Sequence, residues 1–176
     1  MPESEVLLVA SRFNVVREFQ KTGEGLRPRE IVRHPGAVVV LPLLDDGRVC
    51  LIRNYRISVN QTLLELPAGT LEPGEQPIHN AERELIEETG YRAKKLEPLH
   101  ASYLSPGILD ERMHLFLATG LTPGETAREA GEEIDNLVVP WEEAVQMAID
   151  GRIQDAKSIV GLLLVDRLLK SGELKR

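Results

Sequence analysis

The chain has 176 residues, 42% of them hydrophobic and 28% charged, with a formal net charge of −7. That is enough for one domain with a full core and too little for two comfortable ones. The negative balance excludes nucleic acid held on a general basic surface, while leaving room for a single nucleotide bound through a metal and a few arginines. Cys50 is the only cysteine, which excludes an intrachain disulfide and a thiolate metal cluster and makes a reducing cytoplasm the simplest setting.

In chain order, residues 6–10, 13–19 and 30–34 read as short strands of an N-terminal extension, with TGEG and Pro28 as turn signals. The stretch VLLVA is too short for the apolar core of a signal peptide, and no segment approaches the ~18 apolar residues of a membrane span. The run AVVVLPLL at residues 37–44, the turn Asp45-Asp46-Gly47 and the strand at 49–55 predict a buried hairpin. A short strand at 62–66 ends at Pro67-Ala68-Gly69, and the loop LEPGEQP leads into a helix over 77–89, bracketed by Pro77 and Gly90. Strands at 96–104 and 112–119 flank SPGILDE, a further strand covers 136–139, and helices at 141–150 and 155–170 close the pattern. No internal repeat, low-complexity tract or linker is evident.

The central helix carries the most chemistry. Positions i, i+3 and i+4 share a helical face, so Glu84, Glu87 and Glu88 lie together and repel one another unless a cation relieves them. A hard divalent ion is the natural relief, and magnesium in particular combines one or two carboxylates with substrate phosphate oxygens. Ile78, Ala81 and Leu85 form the apolar side expected to dock on a sheet. Arg83 sits one turn before Glu87 and can orient its carboxylate, although such a pair contributes only ~0.3 to 0.5 kcal/mol in solvent.

Counting from Gly69 gives five residues, Glu75, seven residues, Arg83-Glu84-Leu85, one residue, Glu87-Glu88, one residue, Gly90-Tyr91. This resembles the Nudix box, G-x5-E-x7-R-E-U-x-E-E-x-G-U with U a bulky aliphatic, and only Tyr91 departs from the pattern. The resemblance implies an α/β fold: an α/β/α sandwich around a mixed β-sheet, with residues 37–176 as the Nudix domain and residues 1–36 as a strand extension for dimerisation. It implies hydrolysis of a nucleoside diphosphate linked to another group. Glu84 and Glu88 then correspond to the main magnesium ligands, with manganese as a substitute, Glu87 in support and the Ala68 carbonyl as a further ligand. Glu75 and Arg83 resemble the pair that steadies the helix.

Outside the box, Tyr55-Arg56, Glu65-Leu66-Pro67-Ala68-Gly69 and Ser105-Pro106-Gly107 resemble the ADP-ribose pyrophosphatase branch, with Pro106 fifteen residues beyond Tyr91 as a marker. That likeness implies substrate contacts from Arg56 to the diphosphate and from Glu111 near the terminal ribose. It also implies that Arg29 reaches over from a second copy in a homodimer. Each also reads as an ordinary surface residue. It offers Glu132 as an additional metal ligand or as the general base, with Glu129 or a box glutamate as alternatives for the base. The expected reaction is cytoplasmic, magnesium-dependent hydrolysis of ADP-ribose to AMP and ribose 5-phosphate, with no nucleic acid or membrane partner. Another nucleoside diphosphate sugar such as GDP-mannose is the rival substrate, and a non-catalytic nucleotide-sensing module is the rival of a different class.

Other residues carry less. His34, His79, His100 and His114 lack the close spacing of a zinc site, and Cys50 reads as a core thiol. Ile159, Leu162, Leu163, Val165 and Leu169 form a stripe for core or subunit contact, and packing is the reading for Trp141 and Tyr103.

Overall fold

The computed structural model describes residues 4–127 and 134–174. In chain order its elements are β1 (Glu5–Val9), β2 (Asn14–Thr22), β3 (Gly25–Arg33), β4 (Ala37–Pro42), β5 (Arg48–Arg56), β6 (Gln61–Glu65), β7 (Ala68–Thr70), α1 (Pro77–Thr89), β8 (Arg92–Tyr103), β9 (Arg112–Thr122), β10 (Ile134–Pro140), α2 (Trp141–Ile149) and α3 (Ala156–Ser171). The strands form three sheets, ordered β1-β2-β3, β7-β4-β9-β8 and β10-β5-β6. The four-stranded sheet is mixed, because β4 runs parallel to β9 while β7 pairs antiparallel with β4 and β8 with β9.

Every residue of β4 is buried, as a strand covered on both faces requires. Val38 and Val40 meet Ala81 and Leu85 of α1 on one face, with Phe116 and Ala118 of β9 beside them. Val39 and Leu41 meet the opposite cluster, which includes Leu51, Leu66, Trp141, Leu162 and Val165. The mixed sheet is therefore sandwiched between α1 and a layer made by α2, α3 and the β10-β5-β6 sheet, in agreement with the expected α/β class. Burial of one side chain the size of Leu85 contributes about 2 kcal/mol, so α1 is held chiefly by this face.

The hairpin expected from residues 37–44 and 49–55 does not form. The turn exists, with Leu44 N–H donating to Arg48 O at 2.8 Å and an isolated bridge between Leu43 and Val49. Beyond it β4 enters the mixed sheet and β5 the three-stranded one. β4 throughout and β5 over residues 49–52 are apolar on both faces, so each needs its own pair of strand neighbours, and the turn becomes a crossing between layers.

Helix α1 has the predicted bounds, and Gly90 closes it in the left-handed conformation with φ of 77°. Its buried side differs in one respect. Ile78 stands 43% exposed in the first turn, while Asn80, Ala81, Leu85 and Glu88 are buried. The core-facing stripe is rotated toward the acidic positions, which places Glu88 at its edge. Strand β3 is longer than predicted and includes Pro28, which had read as a turn signal; as an edge strand it tolerates a missing N–H. Tyr103 is exposed at the end of β8 instead of packed, whereas Trp141 and Cys50 are buried as expected.

Candidate active site

A groove of about 500 Å³ opens between the C-terminal half of α1, β7 with the loop that follows it, and the start of α3. It is lined by Arg56, Ala68, Glu84, Glu87, Glu88 and Glu111, six of the residues singled out from the sequence. Two charge clusters build its walls.

The first belongs to the 69–91 segment. Arg83 Nη1 lies 2.9 Å from Glu84 Oε1 and 2.8 Å from Glu87 Oε2, and its Nε lies 3.4 Å from Glu75 Oε1. Burial opposes the charge on Arg83, but Glu75, Glu84 and Glu87 outweigh it and raise its pKa. Glu75 also accepts from Asn80 Nδ2 at 2.7 Å and from Glu72 N–H at 3.2 Å, so the loop before α1 is laced to the helix. Glu88, 4% exposed, accepts from Ala68 N–H at 2.9 Å, which joins the helix to β7. Gly69 leaves room for the Glu84 carboxylate: a Cβ there would fall in the space the carboxylate occupies and displace it.

The second cluster was not assigned from the sequence. Glu65, 1% exposed at the end of β6, accepts from Arg56 Nε at 2.8 Å, from Arg56 Nη2 at 2.7 Å and from Lys157 Nζ at 2.6 Å. Lys157 also pairs with Asp155 Oδ1 at 2.9 Å, and Asp155 caps α3 by accepting from Ser158 N–H at 3.0 Å. Ser158 Oγ in turn accepts from Leu66 N–H at 2.7 Å. Burial pushes the Glu65 carboxyl up, yet Arg56 and Lys157 outweigh it and hold it below the ordinary carboxylate range. Lys157 and Asp155 line the same groove, and the only sequence signal for them was an acidic cap at the start of a helix.

The remaining predicted residues divide. Glu111 faces the groove beside Leu104 and Met113. His34 Nδ1 lies 3.8 Å from it but accepts from Gly36 N–H, so this contact is not an ion pair in that tautomer. Pro106 is not among the groove-lining residues; it follows Ser105 in a turn closed by Leu109 N–H donating to Ser105 O at 2.9 Å, the position where a fixed φ helps. Arg29 lies on β3, exposed, with Nε donating to Gln20 Oε1 at 3.0 Å, and does not line the groove of its own chain. Glu132 and Glu129, the candidates for the general base, lie outside the described residues.

The donor set suits a hard divalent cation. Glu84, Glu87 and Glu88 supply only carboxylate oxygens, and Gly69 leaves the space in which the Glu84 carboxylate rests. Among the described residues no group of three His, Cys, Asp or Glu side chains encloses an ion on its own. Magnesium fits such an open array because it keeps waters and takes phosphate oxygens from its substrate.

Comparison with known proteins agrees with this arrangement. A family model described as NUDIX domain matches residues 32–160. The chain is 45% identical over 132 residues to an ADP-ribose pyrophosphatase of Bacillus subtilis (strain 168), covering 74% of this chain and 71% of that one. It is 35% identical over 153 residues to a GDP-mannose pyrophosphatase of Cronobacter sakazakii, covering 80% and 79%. Among solved structures it matches one described as an ADP compounds hydrolase with a TM-score of 0.82 and 25% identity, covering 97% of this chain and 93% of that one. With the domain matched over most of its length and the box carboxylates gathered in one groove, the chain belongs to the Nudix family.

Proposed function

We propose that the protein hydrolyses the pyrophosphate bond of ADP-ribose in a magnesium-dependent reaction that yields AMP and ribose 5-phosphate. The observation that carries this reading is the groove of about 500 Å³, whose lining brings together Arg56, Glu84, Glu87, Glu88 and Glu111. The 45% identity to a relative named ADP-ribose pyrophosphatase supports the choice of substrate over GDP-mannose, the name of a relative at 35% identity.

Nudix hydrolases generally use divalent metal ions. Glu84 and Glu88 would hold the ion, with Glu87 and the Ala68 carbonyl in support. When bound, it neutralises the diphosphate, polarises a phosphorus centre and lowers the pKa of the attacking water. The chain's own residues do the rest. Arg56 presents fixed planar donors to diphosphate oxygens, Arg83 keeps Glu84 and Glu87 in place, and Glu111 accepts hydrogen bonds from ribose hydroxyls. The water oxygen bonds to one phosphorus, the bridging P–O bond breaks, and the proton released from water passes to Glu132, to Glu129 or to a box glutamate.

In this reading residues 1–36 are a dimerisation extension and residues 37–176 the catalytic domain. The exposed Val6, Leu8 and Val9 of β1 support a homodimer, in which Arg29 reaches the partner's groove. No helix of the described residues is long and apolar enough to cross a membrane. A reducing cytoplasm fits the single buried thiol of Cys50.

Incubation with ADP-ribose should give equal amounts of AMP and ribose 5-phosphate with magnesium present and neither product with a chelator. Products other than these two, or turnover indifferent to the chelator, would refute the assignment.

A further inference from the structure

The cluster around Glu65 raises a question of energetics. Taking a carboxylate, a guanidinium and an ammonium out of water costs several kcal/mol per ion, and replacing such a group by apolar side chains is often neutral or stabilising. Glu65 is 1% exposed and the Lys157 side chain 9% exposed, so the cost is incurred for these two, while the Arg56 side chain stays 37% exposed. A plain staple between β6 and α3 does not need these charges, because Leu66 N–H already donates to Ser158 Oγ at 2.7 Å across the same interface.

The geometry suggests what the charges do. Glu65 engages Arg56 side-on through Nε and Nη2, at 2.8 and 2.7 Å. This uses one edge of the guanidinium, and Nη1 has no partner among the described residues. A carboxylate holding a cation this closely would leave Arg56 half-neutralised as a receptor for an anion. Lys157 shares Glu65 Oε2 with Arg56, at 2.6 Å, so the single negative charge of Glu65 is divided between two cations. Asp155 then holds Lys157 at 2.9 Å from the first turn of α3. The row Arg56, Glu65, Lys157, Asp155 alternates in sign and runs from the end of β5 through β6 to the first turn of α3.

We propose that Glu65 and Lys157 are positioning residues which fix the Arg56 guanidinium with its open edge toward the groove and keep its charge available to a diphosphate. This rests on the reading of the groove as a diphosphate site. Lys157 acts through Arg56, so the two are energetically coupled.

A double-mutant cycle tests this, with Lys157→Met, Arg56→Ala and the double variant assayed on ADP-ribose with magnesium. Lys157→Met lowers kcat/KM roughly tenfold, through KM, in the wild-type background and has no further effect beside Arg56→Ala. Lys157→Arg restores most of the loss. An equal loss in both backgrounds, or a change in unfolding temperature with unchanged kinetics, overturns the proposal. Should Lys157→Met fail to fold, Glu65→Gln takes its place in the cycle with the same expectations.

The cycle is also read as the Kd for inorganic pyrophosphate, which needs no turnover. Coupling in that Kd alongside intact ADP-ribose refutes the proposed activity and keeps this inference. Hydrolysis of ADP-ribose with an additive cycle refutes this inference alone, as does a wild-type protein that does not bind pyrophosphate.

Discussion

The two charge clusters in the groove are built on opposite plans. Around Arg83 one cation is surrounded by Glu75, Glu84 and Glu87, so among the described residues the cluster is rich in negative charge. Around Glu65 one carboxylate is surrounded by Arg56 and Lys157, and Asp155 brings the row to balance. In the first, Arg83 and Glu87 are partly open to the groove; in the second, Glu65 and Lys157 are nearly sealed and Arg56 stands open. An acid-rich cluster suits recruitment of an ion, while a balanced one with a buried carboxylate at its centre suits a fixed scaffold that holds a donor in place.

Substitutions separate the two plans. The largest effect is expected from Glu88→Gln, which removes a carboxylate charge while keeping an acceptor for Ala68 N–H. Turnover should fall on the order of 10²- to 10³-fold with little change in unfolding temperature, measured by steady-state kinetics and thermal melts. Undiminished turnover would remove Glu88 from the metal site. Glu65→Ala should show the reverse emphasis: it strands Arg56 and Lys157, and stability should fall by about 3 kcal/mol in denaturant titration. A loss below about 1 kcal/mol would mean that water reaches this cluster freely.

Gly69→Ala tests whether the open cluster depends on its glycine. The added Cβ would displace the Glu84 carboxylate, and a shift of about 1 Å should cost roughly 10²-fold in kcat/KM while leaving secondary structure unchanged by circular dichroism. The smallest effect concerns pH. The folded state binds the Glu65 proton less tightly than the unfolded chain does, so its stabilisation is full above the ordinary carboxylate range. That part is lost as pH falls through the folded value, because the unfolded chain then takes up the proton more readily. Denaturant midpoints of wild type and Glu65→Gln should therefore converge on acidification; a constant difference would place the contribution elsewhere.

The same contrast explains what was legible in the sequence. The Arg83 cluster lies within residues 69–91, where helical geometry and fixed spacing bring Glu84, Glu87 and Glu88 onto one side without any knowledge of tertiary structure. The Glu65 cluster joins residues 92 apart, and no periodicity reports that α3 packs its first turn against the end of β6. Long-range pairing also misled the reading of residues 37–55. The turn at Asp45-Asp46-Gly47 is local and was legible, whereas the parting of β4 and β5 into separate sheets depends on β9, β6 and β10 arriving from elsewhere. Ile78 failed for a related reason, since the face α1 buries is set by the sheet beneath it as well as by its own pattern. Strand β7 has three residues, too few for any alternation to show.

Substrate choice is the central claim, and the most direct measurement is kcat/KM for ADP-ribose and GDP-mannose side by side at saturating magnesium. The proposed function predicts that ADP-ribose is turned over with the higher kcat/KM. Turnover of ADP-ribose far slower than that of GDP-mannose would contradict it.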